Sequence, residues 1–461
     1  MHVVVIGLGV TGEAVVNHRR AAGDRVTVVE DTPAGDPAYA ERAVRAVAAG
    51  AELLEAPPAG ELAAWVEHAD LLVPSPGVPG RHAAVVAARS AGVPVRAEID
   101  LAAEGAGRRL VAVTGTNGKT TVTTLAVAML ETSGMRAVAA GNIGRPLLDA
   151  VGTDADVVVA EVSSFQLAFT TAAFRPRVAV LLNVAVDHLD WHGSLDDYVA
   201  AKARVFRHQT SDDLLVFNAD DAVTSLLAGD APSRRLPFSV TSADPGAFRV
   251  TDGVLVEAGG TPLVPVADLW ATASHDRANA LAAAAAALEV GATPAGVATA
   301  LRDFEGLPHR TTLVAEHDGV RYYDDSKATN PHATLRAVEG AAGPVILVAG
   351  GRNKGLDLSV LGSLAPRLRG VVAIGEAAGE IEAAFAGAVP VIRAADMGTA
   401  VARAAEQAKA GDVVMLSPAC ASFDWYSSYG ARGDDFAARV SGLPEAHGHH
   451  ETDPSRAEVG P

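Results

Sequence analysis

The sequence predicts an α/β protein built on parallel sheets and divided into three domains. Short apolar runs rich in Val, Ile and Leu alternate along the chain with Ala-rich stretches that are long enough for helices. Apolar strands separated by helices are typical of parallel sheets with both faces covered. The length of 461 residues favours three domains at about 150 residues each. The runs predicted as strands are Val3–Ile6, Val26–Val29, Leu110–Val113, Val157–Val162, Val178–Leu182, Val345–Ala349, Val371–Ile374 and Val413–Leu416.

Composition excludes several classes of protein. With 49% hydrophobic and 20% charged residues, each domain can bury a core, so a mostly disordered chain is excluded. The net charge of −18 argues against a surface that attracts nucleic acid or anionic membrane. The longest apolar run, Ala280–Leu288, is too short to span a membrane, and the N-terminus moves straight into a strand without a secretory signal. Together with the single cysteine, Cys420, these features predict a cytoplasmic protein.

Two interruptions of the strand–helix rhythm predict the domain boundaries. The Gly- and charge-rich link Glu104–Arg109 precedes a new strand, and the Gly/Pro stop Gly306–His309 follows the last helical stretch of the middle region. The predicted domains are therefore residues 1–104, 105–307 and 308–443, followed by a disordered tail over 444–461. Between Pro237 and Asp268 short, Gly-punctuated extended pieces predict a small β section within the middle domain.

A glycine-rich turn, Gly7-Leu8-Gly9-Val10-Thr11-Gly12, follows the first predicted strand, and Glu30-Asp31 end the second. Glycines at such a turn let the backbone approach a diphosphate at the start of a helix. The pattern fits a Rossmann-like domain that binds NAD(P), FAD or another nucleotide diphosphate. A tight strand-to-helix turn without a ligand explains it equally well.

The string Thr114-Gly115-Thr116-Asn117-Gly118-Lys119-Thr120-Thr121 gives a stronger signal. It follows a strand and opens a helix predicted to run to about Thr132, so its backbone N–H groups can cradle phosphates. Lys119 can reach the terminal phosphates and the Thr120 hydroxyl can hold Mg²⁺. Val113 stands where the standard P-loop has its first glycine, which makes the loop a variant. We expect the middle domain to bind a nucleoside triphosphate.

Polar side chains follow the next two strands of the middle domain. Glu161 ends one strand, and Asn183, Asp187, His188 and Asp190 follow another. Parallel strands end at one sheet edge, where hard oxygen ligands suit Mg²⁺. For Glu161 a solvated loop carboxylate, and for His188 a turn or capping residue, remain alternatives.

Lys202 lies on a helix predicted to begin near Ser194, on one face with Tyr198 and Phe206. An ordinary lysine with its stem buried and its amine in water explains this position. A buried amine of lowered pKa would instead react with carbon dioxide and become a carbamate that holds a second metal ion.

Four segments of the predicted third domain carry cationic or hydroxyl side chains close to strand ends, which in an acidic protein predicts a site for anions. Cys420 is predicted to be a small packed residue, since no His stands near it in sequence. The four segments are Leu307–Arg310, Asp324–Pro331, Gly350–Gly355 and Ser417–Asp424.

Together these strings resemble those of the Mur ligase family, the ATP-dependent amide-forming enzymes of peptidoglycan precursor synthesis. The likeness extends from residue 1 to about residue 443. Strings similar to those of the whole family are Thr114–Thr120, Gly141–Gly144, the Glu161 segment, Asn183–His188 and Asp325–Asn330. Those similar to the D-glutamate-adding members are Ser75–Gly77, Glu161–Leu167 and Ser417–Ser422.

The resemblance implies an acid–amino-acid ligase that joins D-glutamate to UDP-N-acetylmuramoyl-L-alanine, with ATP and Mg²⁺. It implies a Rossmann-like UDP-sugar domain, a central ATPase domain and a Rossmann-like C-terminal domain for amino acid and nucleotide. The substrate carboxylate would be phosphorylated and then captured by the amine, with closure of the third domain onto the second. We expect a monomer without nucleic-acid or membrane partners.

The resemblance also implies roles for individual residues, each taken from its position in a matching motif. The ATP contacts implied are Gly115, Thr116, Asn117, Gly118, Lys119, Thr120, Thr121, Asn279, Arg310 and Asp325. The UDP-sugar contacts are Gly9, Thr11, Asp31, Thr32, Ser75, Asn142 and His188, and the D-glutamate contacts are Thr329, Lys354, Ser422 and Tyr429. The metal ligands are Thr120, Glu161, His188 and carbamylated Lys202, and the catalytic residues are Lys119, His188, Lys202, Arg310 and Lys327. The chain departs from the family at Pro33 (often Arg), Asp276 (often Asn) and Tyr429 (Phe).

Three alternatives remain open from the sequence. The first is another ATP-dependent amide ligase of the same superfamily, such as a different Mur ligase or folylpolyglutamate synthase. The second is a nucleotide-binding regulatory protein that has lost catalysis, against which Lys119, Glu161, His188 and Lys202 argue. The third is an NAD(P) oxidoreductase built on Gly7–Gly12, which leaves the Lys119 loop unexplained.

Overall fold

The chain folds into three β-sheets whose strands alternate with helices. A computed structural model describes residues 1–31, 37–107 and 110–443. The sheets contain four, nine and six strands. By internal contacts the chain divides into two compact units, Met1–Gly306 and a second that begins at Leu307. The predicted α/β class is confirmed, and each of the eight predicted apolar runs forms a strand. None of the described helices is long and apolar enough to cross a membrane.

The first sheet is wholly parallel, with strand order β3-β2-β1-β4. Ile6 pairs with both Val29 and Pro74, so three strands end together at one edge. The strands are β1 (His2–Ile6), β2 (Arg25–Glu30), β3 (Glu52–Glu55) and β4 (Leu71–Pro74). The helices are α1 (Val10–Ala21), α2 (Pro37–Ala48), α3 (Ala59–Glu67), α4 (Ala83–Ala91) and α5 (Glu98–Ala106).

The second sheet has nine strands in the order β13-β12-β11-β10-β9-β8-β5-β7-β6. The strands are β5 (Leu110–Thr114), β6 (Ala137–Gly141), β7 (Val157–Glu161), β8 (Val178–Leu181), β9 (Leu214–Asn218), β10 (Arg234–Ser239), β11 (Phe248–Thr251), β12 (Val254–Val256) and β13 (Pro262–Pro265). Only the last two pairings, β11 with β12 and β12 with β13, are antiparallel. The β section expected between Pro237 and Asp268 is this end of the sheet.

Eight helices and one 3₁₀ turn accompany the second sheet. They are α6 (Lys119–Thr132), α7 (Leu147–Val151), α8 (Ser164–Leu167), α9 (Leu189–His192), α10 (Leu195–Ala203), α11 (Ala222–Gly229), the 3₁₀ turn Val266–Asp268, α12 (Ser274–Glu289) and α13 (Pro294–Asp303). Ala280–Ala287 of α12 are all buried, and they pack with α6 in one apolar cluster beneath the sheet. Register brings Val113 and Gly141 opposite Glu161, and Thr114 opposite Leu181. The carboxyl ends of β5 to β8 therefore meet at one edge.

The third sheet, in the second compact unit, has the order β14-β15-β19-β16-β17-β18, and only β14 with β15 is antiparallel. Its strands are β14 (Thr312–His317), β15 (Val320–Asp324), β16 (Val345–Gly350), β17 (Leu368–Ile374), β18 (Val391–Arg393) and β19 (Val413–Leu416). Its helices are α14 (Pro331–Glu339), the 3₁₀ segment Leu358–Arg367, α15 (Ala378–Ala384), α16 (Met397–Gln407) and α17 (Tyr429–Ser441).

Two local expectations were wrong in detail. Glu104–Ala106, predicted as part of a link, form the last turn of α5, and the chain leaves the helix at Gly107 with φ of 56°. Phe206, expected on the helix of Lys202, lies beyond the end of α10 at Ala203. Arg108, Arg109 and the tail 444–461 lie outside the described residues.

Candidate active site

The loop between β5 and α6 has the geometry of a phosphate-binding turn. Gly118 has φ of 87° and caps α6, and a Cβ there would lie 2.5 Å from Asn279 Oδ1. The backbone angle favours glycine, and a Cβ would also force the Asn279 side chain to move. Lys119 Nζ donates to the carbonyl oxygens of Gly115 and Thr116 at 2.9 and 3.0 Å, so its ammonium lies over the turn. Asn279 is thus placed against the loop.

Residues that follow β8 accept hydrogen bonds from the backbone of this loop. Asn183 O accepts from Thr116 N at 3.0 Å, and Asn183 Oδ1 accepts from Asn117 N at 2.9 Å. Thr116 Oγ1 lies 2.9 Å from Tyr198 Oη on α10. Asn183 thus supports the phosphate loop through its main chain and its side-chain amide. The first N–H groups of a helix have no partner within it, so the start of α6 offers the anion site. Thr120 and Thr121 lie in that first turn.

Glu161 is buried at the end of β7, beside the phosphate loop. Its side chain is 3% exposed, and Asn142 Nδ2 donates to its Oε1 at 2.7 Å. Its other oxygen, Oε2, is buried and has no hydrogen-bond partner among the described residues. A buried, half-satisfied carboxylate is costly unless a cation completes it. The site therefore fits a metal ion.

His188 and Lys202 lie on the short helices that follow β8. His188 has φ of 54° and caps α9, and its N–H donates to Asp187 Oδ1 at 2.9 Å. Lys202 is 1% exposed, and its Nζ lies 4.6 Å from the ring centroid of Tyr198. Burial, and then the like charge of Lys119, hold the pKa of Lys202 well below its ordinary value. The solvated-lysine alternative is therefore wrong for Lys202.

No group of three or more His, Cys, Asp or Glu side chains converges to hold a metal within residues 1–31, 37–107 and 110–443. Burial raises the pKa of Asp276, one turn before Asn279 on α12, which favours its neutral form.

The first glycine motif also forms a close turn. A Cβ at Gly12 would clash with the carbonyl of Gly7, and Ser75 Oγ donates to the same carbonyl at 2.9 Å. Asp31 Oδ2 lies 2.6 Å from His82 Nε2. Gly9 caps α1.

A cavity of about 200 Å³ opens beside α1, lined by Val10, Thr11, Gly141–Gly144 and Pro146. The structure thus brings together Thr11 on α1 and Asn142 after β6, two residues to which the family resemblance assigned one ligand. Thr32 and Pro33 lie outside the described residues.

Asp325 lies at the carboxyl end of β15 in the second unit. Ser417 Oγ donates to its Oδ2 at 2.7 Å, Thr311 N donates to its Oδ1 at 3.2 Å, and burial raises its pKa to about 7. Arg310 stands between His309 and Thr311, whose φ angles are 61° and 49°. Such backbone strain, on the order of 1–3 kcal/mol per residue, is typical of functional loops.

Lys327 and Tyr429 contact each other, with the ammonium 3.8 Å from the ring centroid. Ser326 Oγ donates to Tyr429 O at 2.8 Å. Sequence reasoning missed Arg432, which is 2% exposed and donates to Ser326 and to Cys420 O at 2.8–3.1 Å. Burial lowers the pKa of Arg432 to about 10. A charged residue inside the amphipathic pattern of α17 was the available signal.

The remaining predicted residues lie on neighbouring loops of this unit. Arg352 and Ala421 exchange two backbone hydrogen bonds of 2.9 and 3.0 Å, which brings the loop of Lys354 beside that of Ser422. Ser422 is 2% exposed. Thr329 N donates to Lys327 O at 2.8 Å in a tight turn.

Three family models match the chain along its length. They are the Mur ligase MurD-like N-terminal domain over residues 1–97, the Mur ligase middle domain over 113–287 and the Mur ligase glutamate ligase domain over 309–420.

Full-length relatives and solved structures agree with these matches. A UDP-N-acetylmuramoylalanine–D-glutamate ligase of Frankia casuarinae is 46% identical over 95% of this chain and 93% of its own length. That of Desulfosudis oleivorans is 42% identical over 96% of each chain.

Among solved structures, the UDP-N-acetylmuramate-alanine ligase of Thermotoga maritima has a TM-score of 0.59 at 19% identity, over 96% of this chain and 99% of its own. The MurF ligase of that organism, in complex with ADP, has a TM-score of 0.57 at 20% identity, over 81% and 95%. These two structures show a shared fold. The strand-end loops described above, the three domain models and the full-length relatives lead to one conclusion: the chain belongs to the Mur ligase family.

Proposed function

We propose that the chain ligates D-glutamate to UDP-N-acetylmuramoyl-L-alanine at the expense of ATP, in peptidoglycan precursor synthesis. The observation that carries this proposal is the sheet edge at which the Lys119 turn and the half-satisfied carboxylate of Glu161 end adjacent strands. That pairing suits magnesium-dependent phosphoryl transfer. The relatives from Frankia casuarinae and Desulfosudis oleivorans, which cover almost the whole chain, support this choice of substrates.

The three predicted domains are proposed to divide the substrates. Residues 1–104 bind the UDP-sugar, residues 105–307 bind ATP, and residues 308–443 bind D-glutamate and part of the nucleotide. The 200 Å³ cavity beside Thr11 and Asn142 supports the first assignment. The remaining UDP-sugar contacts are proposed to come from Gly9, Asp31, Thr32, Ser75 and His188.

For ATP we propose the Gly115–Thr121 turn, Asn279, Arg310 and Asp325. The N-terminus of α6 and the ammonium of Lys119 supply positive potential for the phosphates. The solved MurF ligase in complex with ADP shares this fold, which supports nucleotide binding.

For Mg²⁺ we propose Thr120 and Glu161 at a first position, and His188 with carbamylated Lys202 at a second. The orphaned Oε2 of Glu161 supports the first position. The burial of Lys202 against Tyr198 supports the second, since a buried amine stays neutral and nucleophilic toward carbon dioxide. When bound, Mg²⁺ would neutralise charge on the phosphate oxygens.

The chemistry requires no covalent bond to the protein. The L-alanine carboxylate attacks the γ-phosphorus of ATP, which releases ADP and leaves an acyl phosphate. The amine of D-glutamate then attacks the acyl carbon and loses a proton, and phosphate departs as the amide forms. Lys119, Arg310 and Lys327 place positive charge where phosphate charge accumulates. Thr329, Lys354, Ser422 and Tyr429 are proposed to hold D-glutamate.

The deciding experiment is mass analysis of the product formed from UDP-N-acetylmuramoyl-L-alanine, D-glutamate and Mg-ATP. We expect one amide product and one ADP per turnover. Offering L-alanine, L-glutamate and a diamino acid in turn, with ADP as the readout, tests the other ligases of the superfamily. Turnover with one of these and none with D-glutamate would refute the proposal.

We also propose that the protein acts as a cytoplasmic monomer. A buried lone thiol, Cys420, suits a reducing compartment. Burial raises the pKa of this thiol to about 12, which agrees with the packed residue expected from sequence. Sedimentation at micromolar concentration tests the monomer, and a dimer would contradict it.

A further inference from the structure

Trp191 joins three loops of the candidate active site. Its indole Nε1–H donates to Gly77 O at 3.2 Å, and its own carbonyl accepts from Arg81 Nη1 at 3.1 Å. Both partners lie on the loop that follows β4 and carries Ser75. Trp191 itself lies on α9, which His188 caps. One residue therefore connects the loop assigned to the UDP-sugar with the loop assigned to metal and substrate.

The indole ring makes the third connection. Its centroid lies 4.9 Å from that of Phe165, and the Phe165 ring lies 4.6 Å from the His188 ring. Phe165 belongs to α8, which Ser163 caps shortly after the end of β7 at Glu161. Trp191 is partly buried and packs against the apolar cluster of the unit. Aromatic contacts of this kind fix ring orientation as well as burying area.

The position of His188 depends on such packing from outside its own helix. Helix α9 has only four residues and begins at a non-glycine residue with φ of 54°, and helices this short have little stability of their own. Trp191 N donates to His188 O at 3.1 Å, so the backbones of the two residues are joined directly. The indole therefore helps to hold His188 through Phe165, alongside the bond from His188 N to Asp187.

We propose that Trp191 is a positioning residue that couples occupancy of the UDP-sugar loop, Ser75–His82, to the placement of His188. This inference rests on the proposed function for the identity of the sugar nucleotide. The two hydrogen bonds serve binding, because they fix the loop before the ligand arrives. The ring contacts serve the chemical step, because they hold Phe165, whose ring contacts that of His188.

The two contributions separate in two variants. Trp191→Phe keeps a ring against Phe165 and loses the N–H donor. We expect the Kd for UDP-N-acetylmuramoyl-L-alanine, measured by calorimetry without ATP or amino acid, to rise about three- to tenfold, the usual effect of one hydrogen bond. kcat at saturating substrates should stay within about twofold. Trp191→Ala removes the ring as well and should lower kcat on the order of tenfold or more.

Arg81→Ala removes the second bond to the same loop and should reproduce the binding defect of Trp191→Phe. Trp65→Phe is the matched control, since Trp65 lies on α3 and packs against His2. The Kd for a non-hydrolysable ATP analogue should not change in any of these variants. Should Trp191→Ala fail to fold, Trp191→Phe and Arg81→Ala still decide the question.

The inference is overturned if Trp191→Phe leaves the Kd for the sugar nucleotide unchanged or weakens the ATP analogue equally. It is also overturned if Trp191→Phe lowers kcat as much as Trp191→Ala. The Kd measurements do not depend on which amino acid is ligated. A wild-type protein that binds the sugar nucleotide but does not use D-glutamate would therefore refute the proposed function and leave this test intact.

Discussion

Asn142 donates its side-chain amide to one oxygen of Glu161 at 2.7 Å, and the other oxygen is buried without a hydrogen-bond partner among the described residues. Asn142 also lines the 200 Å³ cavity beside α1. The amide thus holds one carboxylate oxygen and links Glu161 to the residue that lines the cavity. A buried acceptor held this way is ready for a cation.

Glu161→Gln removes the charge but keeps an acceptor for Asn142. We expect the apparent affinity for Mg²⁺ to fall at least about tenfold and turnover to fall on the order of a hundredfold, since an amide binds Mg²⁺ poorly and places an N–H where the ligand oxygen was. ADP formation over a Mg²⁺ titration measures both. The control is Asp154→Asn, an exposed carboxylate paired with Arg136. An unchanged Mg²⁺ dependence in Glu161→Gln would exclude Glu161 as a ligand.

Lys119→Met should abolish turnover and leave the fold intact. The two bonds from Lys119 Nζ to its own loop are only partly buried, so their loss should change the free energy of unfolding by about 1 kcal/mol or less. The positive charge near the transferred phosphate is worth on the order of a thousandfold in rate. ADP release and thermal unfolding measure the two effects separately. Turnover within tenfold of wild type would show that another cation serves the phosphates.

The placement of the phosphate loop was predictable because it depends on neighbours in sequence. A strand, a glycine that must take φ of 87° and a helix starting at Lys119 follow one another without a gap. Strand ends in a parallel sheet meet at one edge whatever else the chain does. Glu161 was therefore expected at the same sheet edge as the loop, and the pairing of β5 with β7 places the two side by side.

Partners far apart in sequence could not be predicted. Arg432 finds Ser326 across 106 positions, and no local pattern marks the pairing of His82 with Asp31. The last turn of α5 was missed because Gly105 and Gly107 suggest a loop, while burial of Ala102 and Ala106 stabilises the helix. Tertiary packing decided each of these cases.

Lys202→Ala should lose most activity and regain part of it when small carboxylic acids are added. The residue is 1% exposed, so its removal leaves a space that formate or acetate can enter, with a carboxylate near the position of the carbamate. Activity as a function of acetate concentration measures the effect. Lys409 is exposed, so Lys409→Ala should keep its activity and should not respond to added acid. Absence of rescue by any small acid would count against carbamylation.

The buried carboxyl group of Glu98 should make the stability of the fold depend on pH. It accepts from Leu148 N, its Oε2 is buried and unpaired among the described residues, and burial raises its pKa from 4.5 to about 7. The folded chain therefore keeps a proton that the unfolded chain loses between those values, so stability falls as pH rises through this window. Above pH 7 the free energy of unfolding is lower by about 3 kcal/mol than it is below pH 4.5. Glu98→Gln keeps the acceptor and removes the titration.

We expect the difference in Tm, Glu98→Gln minus wild type, to increase by several degrees between pH 5 and pH 8. At pH 5 the two proteins should be close, because wild-type Glu98 is still protonated in the folded state. Glu67→Gln, an exposed carboxylate at the end of α3, should show no such trend. The slope identifies the titrating group, since a general loss of packing would lower Tm equally at every pH. If the Tm difference between Glu98→Gln and wild type stays constant, Glu98 is ionised over the whole range from pH 5 to pH 8.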